Sequence, residues 1–454
     1  MTEIPAPAPA VDRDSGTSLG LAALLAGTLV GTVSNNVVNV PLGAILHEFD
    51  APLGSGVFVV VGFLMTLAAT LPLAGWFGDR FGRRRVYCAA LLGTAVCAIG
   101  AATAPSLSLL ILWRSLGGVA AAAFAPAAMG LITWMFSAQR RGRAIGAWAS
   151  VNGIGQAVGP TMGGFVADAW GWRWVFVPLV PVALAGFVGA LRHIPRYPGV
   201  AMPFDVAGAL ALTVGTALLV LGLGLIPQPG IALWALCGMG IGGVAALAWF
   251  AWHCARVQHP FVDVRLVTES RFARSCLAGF AQMFCLGATL LAVPLYLTDR
   301  GESASVAGLV LFVVPAMMAV LGPFVGRWLD RLHPRRVLRT GLAVLLAAQI
   351  ALGFIVDNEH VLLAALVAVL IVTGIGIALV QTPAATGATR SPAGESGSGL
   401  GLFNLIRFAG SAVGAAWVAV ALDFWFFPAV FVASAVIVAL GQAGSFVGPD
   451  PERS

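Results

Sequence analysis

Two arginines stand inside apolar stretches that are long enough to cross a membrane. Arg114 lies within residues 107–135 and Arg407 within residues 399–421. A guanidinium in the hydrocarbon is costly, so such a residue normally faces a helix-bundle interior or a watered cavity, where it meets a polar or anionic ligand. Each arginine can instead be a structural residue bonded to backbone carbonyls. The residue types alone leave both roles open.

Carboxamides accompany these arginines in the same kind of apolar stretch. An amide inside a membrane contacts a polar ligand or joins two helices by a hydrogen bond, and a single amide does not distinguish the two. Together with the arginines they form our predicted substrate or ion path. Its members are Asn36, Asn39, Arg114, Asn152, Gln156, Gln282, Asn404 and Arg407.

Membrane-spanning helices must position these residues. The 454-residue chain is 59% hydrophobic and only 10% charged, and its mean hydropathy is +0.93. Because a spanning helix needs roughly 20 mostly apolar residues, the sequence predicts an all-α polytopic membrane protein with fourteen spans. They are residues 19–41, 54–77, 86–104, 107–135, 143–168, 174–191, 205–227, 231–253, 272–297, 304–329, 337–356, 361–383, 399–421 and 425–446.

A charged element occurs twice between apolar spans. Both copies have the pattern Gly-x-x-x-Asp-Arg, in residues 75–85 and again in residues 326–336. Glycines let helix ends approach closely, and the charges can bond to a neighbouring helix terminus or can simply fix the topology. We predict a conformational role for Gly75, Gly78, Asp79, Arg80, Gly82 and Arg83 in the first copy and for Gly326, Asp330 and Arg331 in the second.

The duplication predicts two six-helix bundles, with two extra helices inserted between them. Six spans precede residue 192 and six follow residue 271, so an even insertion leaves both copies of the element on the same side. The predicted division is residues 1–17 as a disordered tail, 18–191 as the first bundle, 192–271 as a linker with two spans, 272–446 as the second bundle and 447–454 as a second tail.

Arginine alone indicates the orientation, because the sequence contains no lysine. Arg173 and Arg300 fall on one side of the predicted spans, and the other loop and tail arginines fall on the opposite side. The positive-inside rule therefore places both termini in the cytoplasm, and residues 1–17 are not expected to be a cleaved signal. The net charge of +6 is explained by this topology, so we expect no nucleic-acid partner.

The fifth predicted span has glycines at helical spacing. Gly155, Gly159 and Gly163 recur every fourth residue, and Pro160 and Gly164 lie beside them. Such a stripe allows close packing against another helix, and the proline removes one backbone hydrogen bond. Ordinary small-residue packing is the alternative to a conformational role for these five residues.

At several positions the chain resembles the major facilitator superfamily, specifically its fourteen-span drug/proton antiporter branch. Residues 75–85 are similar to that family's loop between spans 2 and 3, residues 112–118 to its span 4 arginine motif, and residues 155–164 to its exporter motif. The resemblance implies a monomeric alternating-access exporter of small organic compounds in a bacterial inner membrane. It also implies an inward proton gradient as energy source and no bound cofactor.

One departure from that family concerns the first span. Residues 34–36 read Ser-Asn-Asn where antiporters of this branch typically have an aspartate, and no other predicted span has a central Asp or Glu. Proton coupling therefore lacks its usual carboxylate, which keeps an uncoupled facilitator or an importer as the alternative. Two arginines without an acid favour a neutral or weakly acidic, partly apolar substrate over a dication.

Other functional classes find less support in the sequence. The six cysteines and six histidines show no metal-ligand or redox spacing, so we expect no metal. No Ser/His/Asp array or phosphate-binding glycine loop indicates a membrane enzyme. A receptor or scaffold on the same fold would be distinguished by signalling without flux.

Overall fold

The computed structural model describes residues 18–448 except for 137, 197–198, 200–204, 227–230, 258–259, 261–263, 265–268, 330–331, 359–362, 392–396 and 425. Over these residues the protein is helical, with seventeen α-helices, one short 3₁₀ helix and no β-strand. This confirms the predicted all-α fold class. The two predicted tails lie outside the described residues, apart from residues 447 and 448, and so do Asp330 and Arg331 of the second Gly-x-x-x-Asp-Arg element.

Nine α-helices form the N-terminal half, and the 3₁₀ helix Trp172–Phe176 precedes the last of them. They are α1 Ser18–Asn36, α2 Leu42–Glu48, α3 Leu53–Gly56, α4 Phe58–Phe81, α5 Arg83–Ala102, α6 Leu107–Ala121, α7 Phe124–Met135, α8 Ala138–Trp170 and α9 Leu179–His193. Below, "external" and "cytoplasmic" denote the two sides assigned by the arginine distribution.

Two inserted helices and six further helices complete the chain. The inserted pair is α10 Val206–Leu225 and α11 Leu233–Cys254. The C-terminal half comprises α12 Ser270–Asp299, α13 Ala304–Leu329, α14 Pro334–Asp357, α15 Leu363–Thr389, α16 Gly397–Phe424 and α17 Phe427–Gly444.

Thirteen stretches of the described chain are long and apolar enough to span a membrane, and they correspond to thirteen of the fourteen predicted spans. The remaining prediction corresponds to α8, which is 33 residues long but begins with an arginine cluster and contains Asn152 and Gln156. Those polar residues lower its mean hydropathy. The protein is thus a multi-pass membrane protein, and the count of fourteen stays a prediction.

Prolines explain where two predicted spans are interrupted. Span 1 was expected to be helical through residue 41, but α1 ends at Asn36, and Asn39 lies in a turn before Pro41. Span 4 is divided into α6 and α7 at residues 122–123, four and three positions before Pro126. A proline ring clashes with the carbonyl four residues earlier and donates no hydrogen bond, so the regular helix stops there.

Contacts between the two halves run along two helix pairs. Helix α8 packs along α13, and α4 packs along α16. The inserted helix α10 contacts α11, and it also contacts α4 and α16, one from each half. We call α1, α6, α8, α12 and α16 the path helices, because they carry the predicted path residues other than Asn39. Of these, α8 and α16 contact the other half directly, α1 packs on α8, and α12 packs on α16. The predicted domain limits themselves stay a prediction.

Candidate functional site

Arg114 connects three helices of the N-terminal half. Its side chain is 97% buried, since the residue is only 3% exposed. Nε donates to the carbonyl of Val59 on α4 at 3.0 Å, and Nη1 donates to the carbonyl of Ser34 on α1 at 2.6 Å. The guanidinium carbon lies 4.5 Å from the ring centre of Phe63. Carbonyls and an aromatic face thus stabilise the cation without an acid.

One nitrogen of Arg114 is left for another partner. Nη2 is buried and has no hydrogen-bond acceptor among the described residues. A buried donor without an acceptor costs free energy, about 1–3 kcal/mol for an ordinary group. Arg114 therefore combines a structural role toward two helices with one donor suited to an incoming acceptor.

Arg407 has a different environment, in the C-terminal half. It is partly buried on α16, its Nη1 donates to Asn404 Oδ1 at 3.2 Å, and its guanidinium carbon lies 5.5 Å from the ring centre of Phe403. Helix α12 approaches closely here, since a Cβ added to Gly279 would lie 2.9 Å from Arg407 Cγ. The glycine thus gives the arginine stem its space, and two predicted path residues are neighbours.

The amides of the predicted path make mostly local bonds. Asn36 Nδ2 donates to the carbonyl of Thr32 at 2.9 Å, and Gln156 Nε2 donates to Asn152 Oδ1 at 3.0 Å. Asn39 is buried, and its Oδ1 has no donor among the described residues. These contacts place the amides on α1, on the turn after it and on α8, and their part in transport stays a prediction.

Gln282 is the most deeply buried amide of the path. It is fully buried on α12, and neither amide atom has a partner within the described chain. Gln349 on α14 has the same two features. Polar groups in this position normally bind water or a ligand, because an unpaired buried amide is unfavourable.

Helix α8 presents glycine to helices on two sides. Added Cβ atoms at Gly155, Gly159 and Gly163 would lie 1.9 Å from Thr32 Oγ1, 3.0 Å from Asn36 Cβ and 2.2 Å from the Val37 carbonyl oxygen. All three contacts are with α1 or the residue that follows it. A Cβ on Gly164 would lie 2.2 Å from the carbonyl oxygen of Ala304 on α13. The stripe brings α8 against its own half, and Gly164 allows contact with the other half.

Hydrogen bonds join α8 to α13 toward the external side. Thr161 Oγ1 donates to the carbonyl of Gly308 at 3.2 Å, and the Ser305 N–H donates to Asp168 Oδ2 at 2.7 Å. A Cβ on Gly308 would lie 2.9 Å from the Pro160 carbonyl oxygen. The two halves are therefore in direct backbone contact along this pair near the external side.

The first Gly-x-x-x-Asp-Arg element forms a compact turn between α4 and α5. Arg83 Nε donates to Asp79 Oδ1 at 2.9 Å, and Gly82 has φ +95°, a conformation that favours glycine. The Arg83 guanidinium occupies the space above Gly130 of α7, because an added Cβ would overlap its Nη1. Arg84 donates to the carbonyl of Leu191 on α9. The charges thus bond within the half, and the glycines make room for them.

The other described residues of the two Gly-x-x-x-Asp-Arg copies give weaker support for a conformational role. The backbone of Arg80 lies against Gly199 of the linker, where an added Cβ would be 2.0 Å from the Arg80 carbonyl oxygen. Gly75 and Gly78 lie on the last turns of α4. Gly326, from the second copy, has open space where a Cβ would be. The close approach expected of glycine is therefore present in the first copy and not at Gly326.

An ion pair lies at the external end of the N-terminal half. Glu48 accepts hydrogen bonds from Arg173 and, at 2.6 Å, from Trp172 Nε1. Arg173 Nη2 also donates to the carbonyl of Ala104 at 3.1 Å. The hydrogen bond from Arg173 is the main reason that the pKa of Glu48 is lowered, and the Trp172 bond lowers it further against a desolvation that raises it. This cluster ties α2, the end of α5 and the 3₁₀ helix together.

Several of these partners carry no signal in the sequence. Ser34 and Val59 act through backbone carbonyls, which every residue has, and Ser305 acts through its N–H. Asp168 differs in the sequence from other acids only by its place at the end of the predicted span 143–168. In the path helices the carboxylates lie at the ends, at Asp168, Asp299 and Asp423. Within these helices as described, no carboxylate lies midway along a helix to offset the charges of Arg114 and Arg407.

The sequence and the fold were compared with known proteins. The family model described as the Major Facilitator Superfamily matches residues 22–415 and again 275–454. An uncharacterized MFS-type transporter of Mycobacterium tuberculosis is 30% identical over 90% of this chain and 72% of its own length. The multidrug resistance protein Stp of the same species (strain CDC 1551) is 30% identical over 86% of this chain and 73% of its own length.

A solved structure has the same overall fold. The crystal structure of the peptide transporter POT in complex with sulfate has a TM-score of 0.71 and covers 93% of this chain and 94% of its own. Its sequence identity is 15%. At that identity the likeness concerns the fold alone.

Proposed function

Because this chain belongs to the Major Facilitator Superfamily, whose members are transporters and not enzymes, we propose that it exports small organic compounds by alternating access. The observation on which this rests is the position of α8, with glycines against α1 on one side and backbone contacts to α13 on the other. A helix packed closely on both halves can transmit relative motion between them. The names of relatives such as Stp, a multidrug resistance protein, support export as the direction.

The substrate that fits this arrangement is neutral or weakly acidic and partly apolar. Arg114 has a buried donor without an acceptor, and Arg407 lies beside Asn404 at the other half. No carboxylate lies at the centre of the path helices to bind a dication. An anionic or hydrogen-bond-accepting group between the halves would therefore meet a favourable field.

We propose that an inward proton gradient drives export through proton-coupled antiport. The first span has Ser34 where the family typically has an aspartate, so the candidate proton carriers are carboxylates at helix ends. Among the carboxylates that the structure describes, Asp168 accepts a hydrogen bond from the other half. The same missing acid supports the second candidate, an uncoupled facilitator or importer. We further propose a monomer in a bacterial inner membrane, with both termini in the cytoplasm.

Transport into inside-out vesicles tests the proposal. Vesicles energised by respiration are given a panel of neutral, anionic and cationic amphipaths, and uptake is compared with and without a protonophore. Proton-driven export predicts accumulation that the protonophore abolishes, with neutral and anionic compounds preferred. Equilibration that ignores the protonophore supports the facilitator, and no uptake of any compound contradicts both.

Variants connect this assay to the site. We expect Arg407→Gln to reduce uptake of anionic compounds at least tenfold, while neutral compounds are less affected. Arg256→Gln is the matched control, because Arg256 is an exposed arginine that stacks on Trp252 away from the path. Equal uptake of anionic compounds by both variants contradicts the proposed substrate preference.

A further inference from the structure

A basic cavity lies at the cytoplasmic ends of α12, α14 and α15, away from the proposed path. Its volume is about 40 Å³, and it is open to the surface. Four arginines line it, together with hydroxyl groups from Ser275 and Thr386. The arginines are Arg271, Arg274, Arg335 and Arg390. None of the residues that line the cavity in the described structure is acidic.

Backbone carbonyls hold three of these guanidiniums in place. Arg271 Nη1 donates to the carbonyl of Arg390 at 3.1 Å, and Arg335 Nε donates to the carbonyl of Ser445 at 2.9 Å. Arg274 is only 8% exposed, and its Nη1 donates to the carbonyl of Val447 at 2.7 Å. Carbonyls are uncharged, so these three bonds orient the guanidiniums without adding a negative charge to the cavity.

Two helix starts add to the positive potential of the cavity. Helix α12 begins at Ser270 and α14 begins at Pro334, so the positive ends of both helix dipoles face this region. The Glu269 carboxylate offsets part of the positive potential at the start of α12, because it accepts hydrogen bonds from the N–H groups of Arg271 and Phe272 at 2.9 and 2.6 Å. Helix α14 has no side-chain cap at its start.

We propose that this cavity binds the phosphate group of an anionic phospholipid from the cytoplasmic leaflet. Guanidinium groups pair with phosphate through two parallel hydrogen bonds, and several of them on fixed helices form a preorganised site. The three helices are membrane spans, and their cytoplasmic ends lie where lipid headgroups are. Inorganic phosphate has the same chemistry, so the experiment must separate the two sources. The inference does not depend on the transport proposal.

The test measures lipid binding to the purified full-length protein by native mass spectrometry. Phosphatidylglycerol is titrated against phosphatidylcholine, and we expect at least tenfold tighter binding of the anionic lipid. For Arg271→Gln with Arg390→Gln we expect a loss of about 25-fold, since one arginine near an anionic surface contributes about fivefold, or roughly 1 kcal/mol. Equal binding of the two lipids by the wild type overturns the proposal.

A neighbouring arginine provides the control. Arg336 is exposed, adjacent to Arg335 in the first turn of α14 and not part of the cavity lining. Arg336→Gln removes one arginine charge where the double variant removes two, so we expect its binding of phosphatidylglycerol to stay within about fivefold of the wild type. If it loses as much as the double variant, the effect is general surface charge and the cavity is not the site.

Two further arms complete the design. Inorganic phosphate at millimolar concentration is added as a competitor, and displacement of the lipid at that concentration overturns the lipid as occupant. If the glutamine variant does not fold, Arg271→Lys with Arg390→Lys keeps the charge but lacks the planar fork. We expect it to bind phosphatidylglycerol at least threefold more weakly, and unchanged affinity contradicts the proposed site.

Discussion

The carboxylate of Asp168, near the end of α8, accepts a hydrogen bond from the backbone N–H of Ser305 at 2.7 Å. Ser305 is the second residue of α13, so the anion lies at the positive end of that helix. The contact joins the two halves of the transporter near the external side. Any step that opens this side must break it.

Asp168→Ala is expected to shift the protein toward an externally open state. The variant loses a charge-assisted bond across the halves, a contact worth about 1.5–3 kcal/mol. Spin labels at Ala169→Cys and Ser303→Cys, both exposed positions, report the distance between the two helix ends by pulsed electron paramagnetic resonance. We expect a population at longer distance in the variant.

Asp423 provides the control for this experiment. It is an exposed acid near the external end of α16, and the described structure gives it no bond across the halves. Asp423→Ala should leave the distance distribution as in the wild type. If Asp168→Ala also leaves it unchanged, the Ser305 contact does not hold the external side closed.

Arg114→Gln is expected to destabilise the protein by on the order of 3 kcal/mol, because the shorter side chain leaves the carbonyls of Ser34 and Val59 without their donors. Arg407→Gln should destabilise the protein clearly less, since the Arg407 hydrogen bond is to Asn404, on the preceding turn of the same helix. Chemical denaturation in mixed micelles, followed by tryptophan fluorescence, measures both. Equal losses would contradict the structural role assigned to Arg114.

Gly163→Ala is expected to weaken the packing of α8 on α1. The new Cβ would lie 2.2 Å from the Val37 carbonyl oxygen, and a backbone atom cannot move aside easily. Overpacking of this kind costs about 1–3 kcal/mol. Gly322→Ala on α13 is the control, since nothing lies within 4 Å of its Cβ. A lower unfolding temperature for the first variant alone supports the packing, and the same result for both variants contradicts it.

The Glu48–Arg173 pair predicts a pH dependence of stability. The pKa of Glu48 is lowered in the folded state, chiefly by the hydrogen bond from Arg173. Its contribution is therefore fully present above the unfolded value of about 4.3 and is lost as the pH falls through the lower folded pKa. We expect Glu48→Gln to lower the unfolding temperature at pH 7 and to match the wild type at the acid end of the titration.

The matched variant for this titration is Glu302→Gln, an exposed carboxylate at the external side of the C-terminal half. It should leave the unfolding temperature at pH 7 unchanged. A difference between Glu48→Gln and the wild type that persists unchanged at the lowest pH would show that the carboxylate charge is not the cause.

Hydropathy predicted the helical fold because the bilayer allows few solutions for an apolar chain. Every backbone group must be satisfied within its own segment, so an apolar run of sufficient length becomes a helix. Thirteen of the fourteen predicted spans were recovered on this basis. The helix breaks near Pro41 and Pro126 could also be predicted from the sequence, since proline interrupts a regular helix. They were missed because spans 1 and 4 were assigned from the length of the apolar stretch alone.

The sequence by itself determined that Arg114 and Arg407 lie within membrane helices and that α8 has a face of glycine. Only the tertiary structure decided what these features contact. The Arg114 partners are carbonyls 80 and 55 residues away, and Asp168 bonds to an N–H 137 residues away. Backbone groups are the same in every residue, so their selection depends on how the helices pack and leaves no trace in the order of side chains.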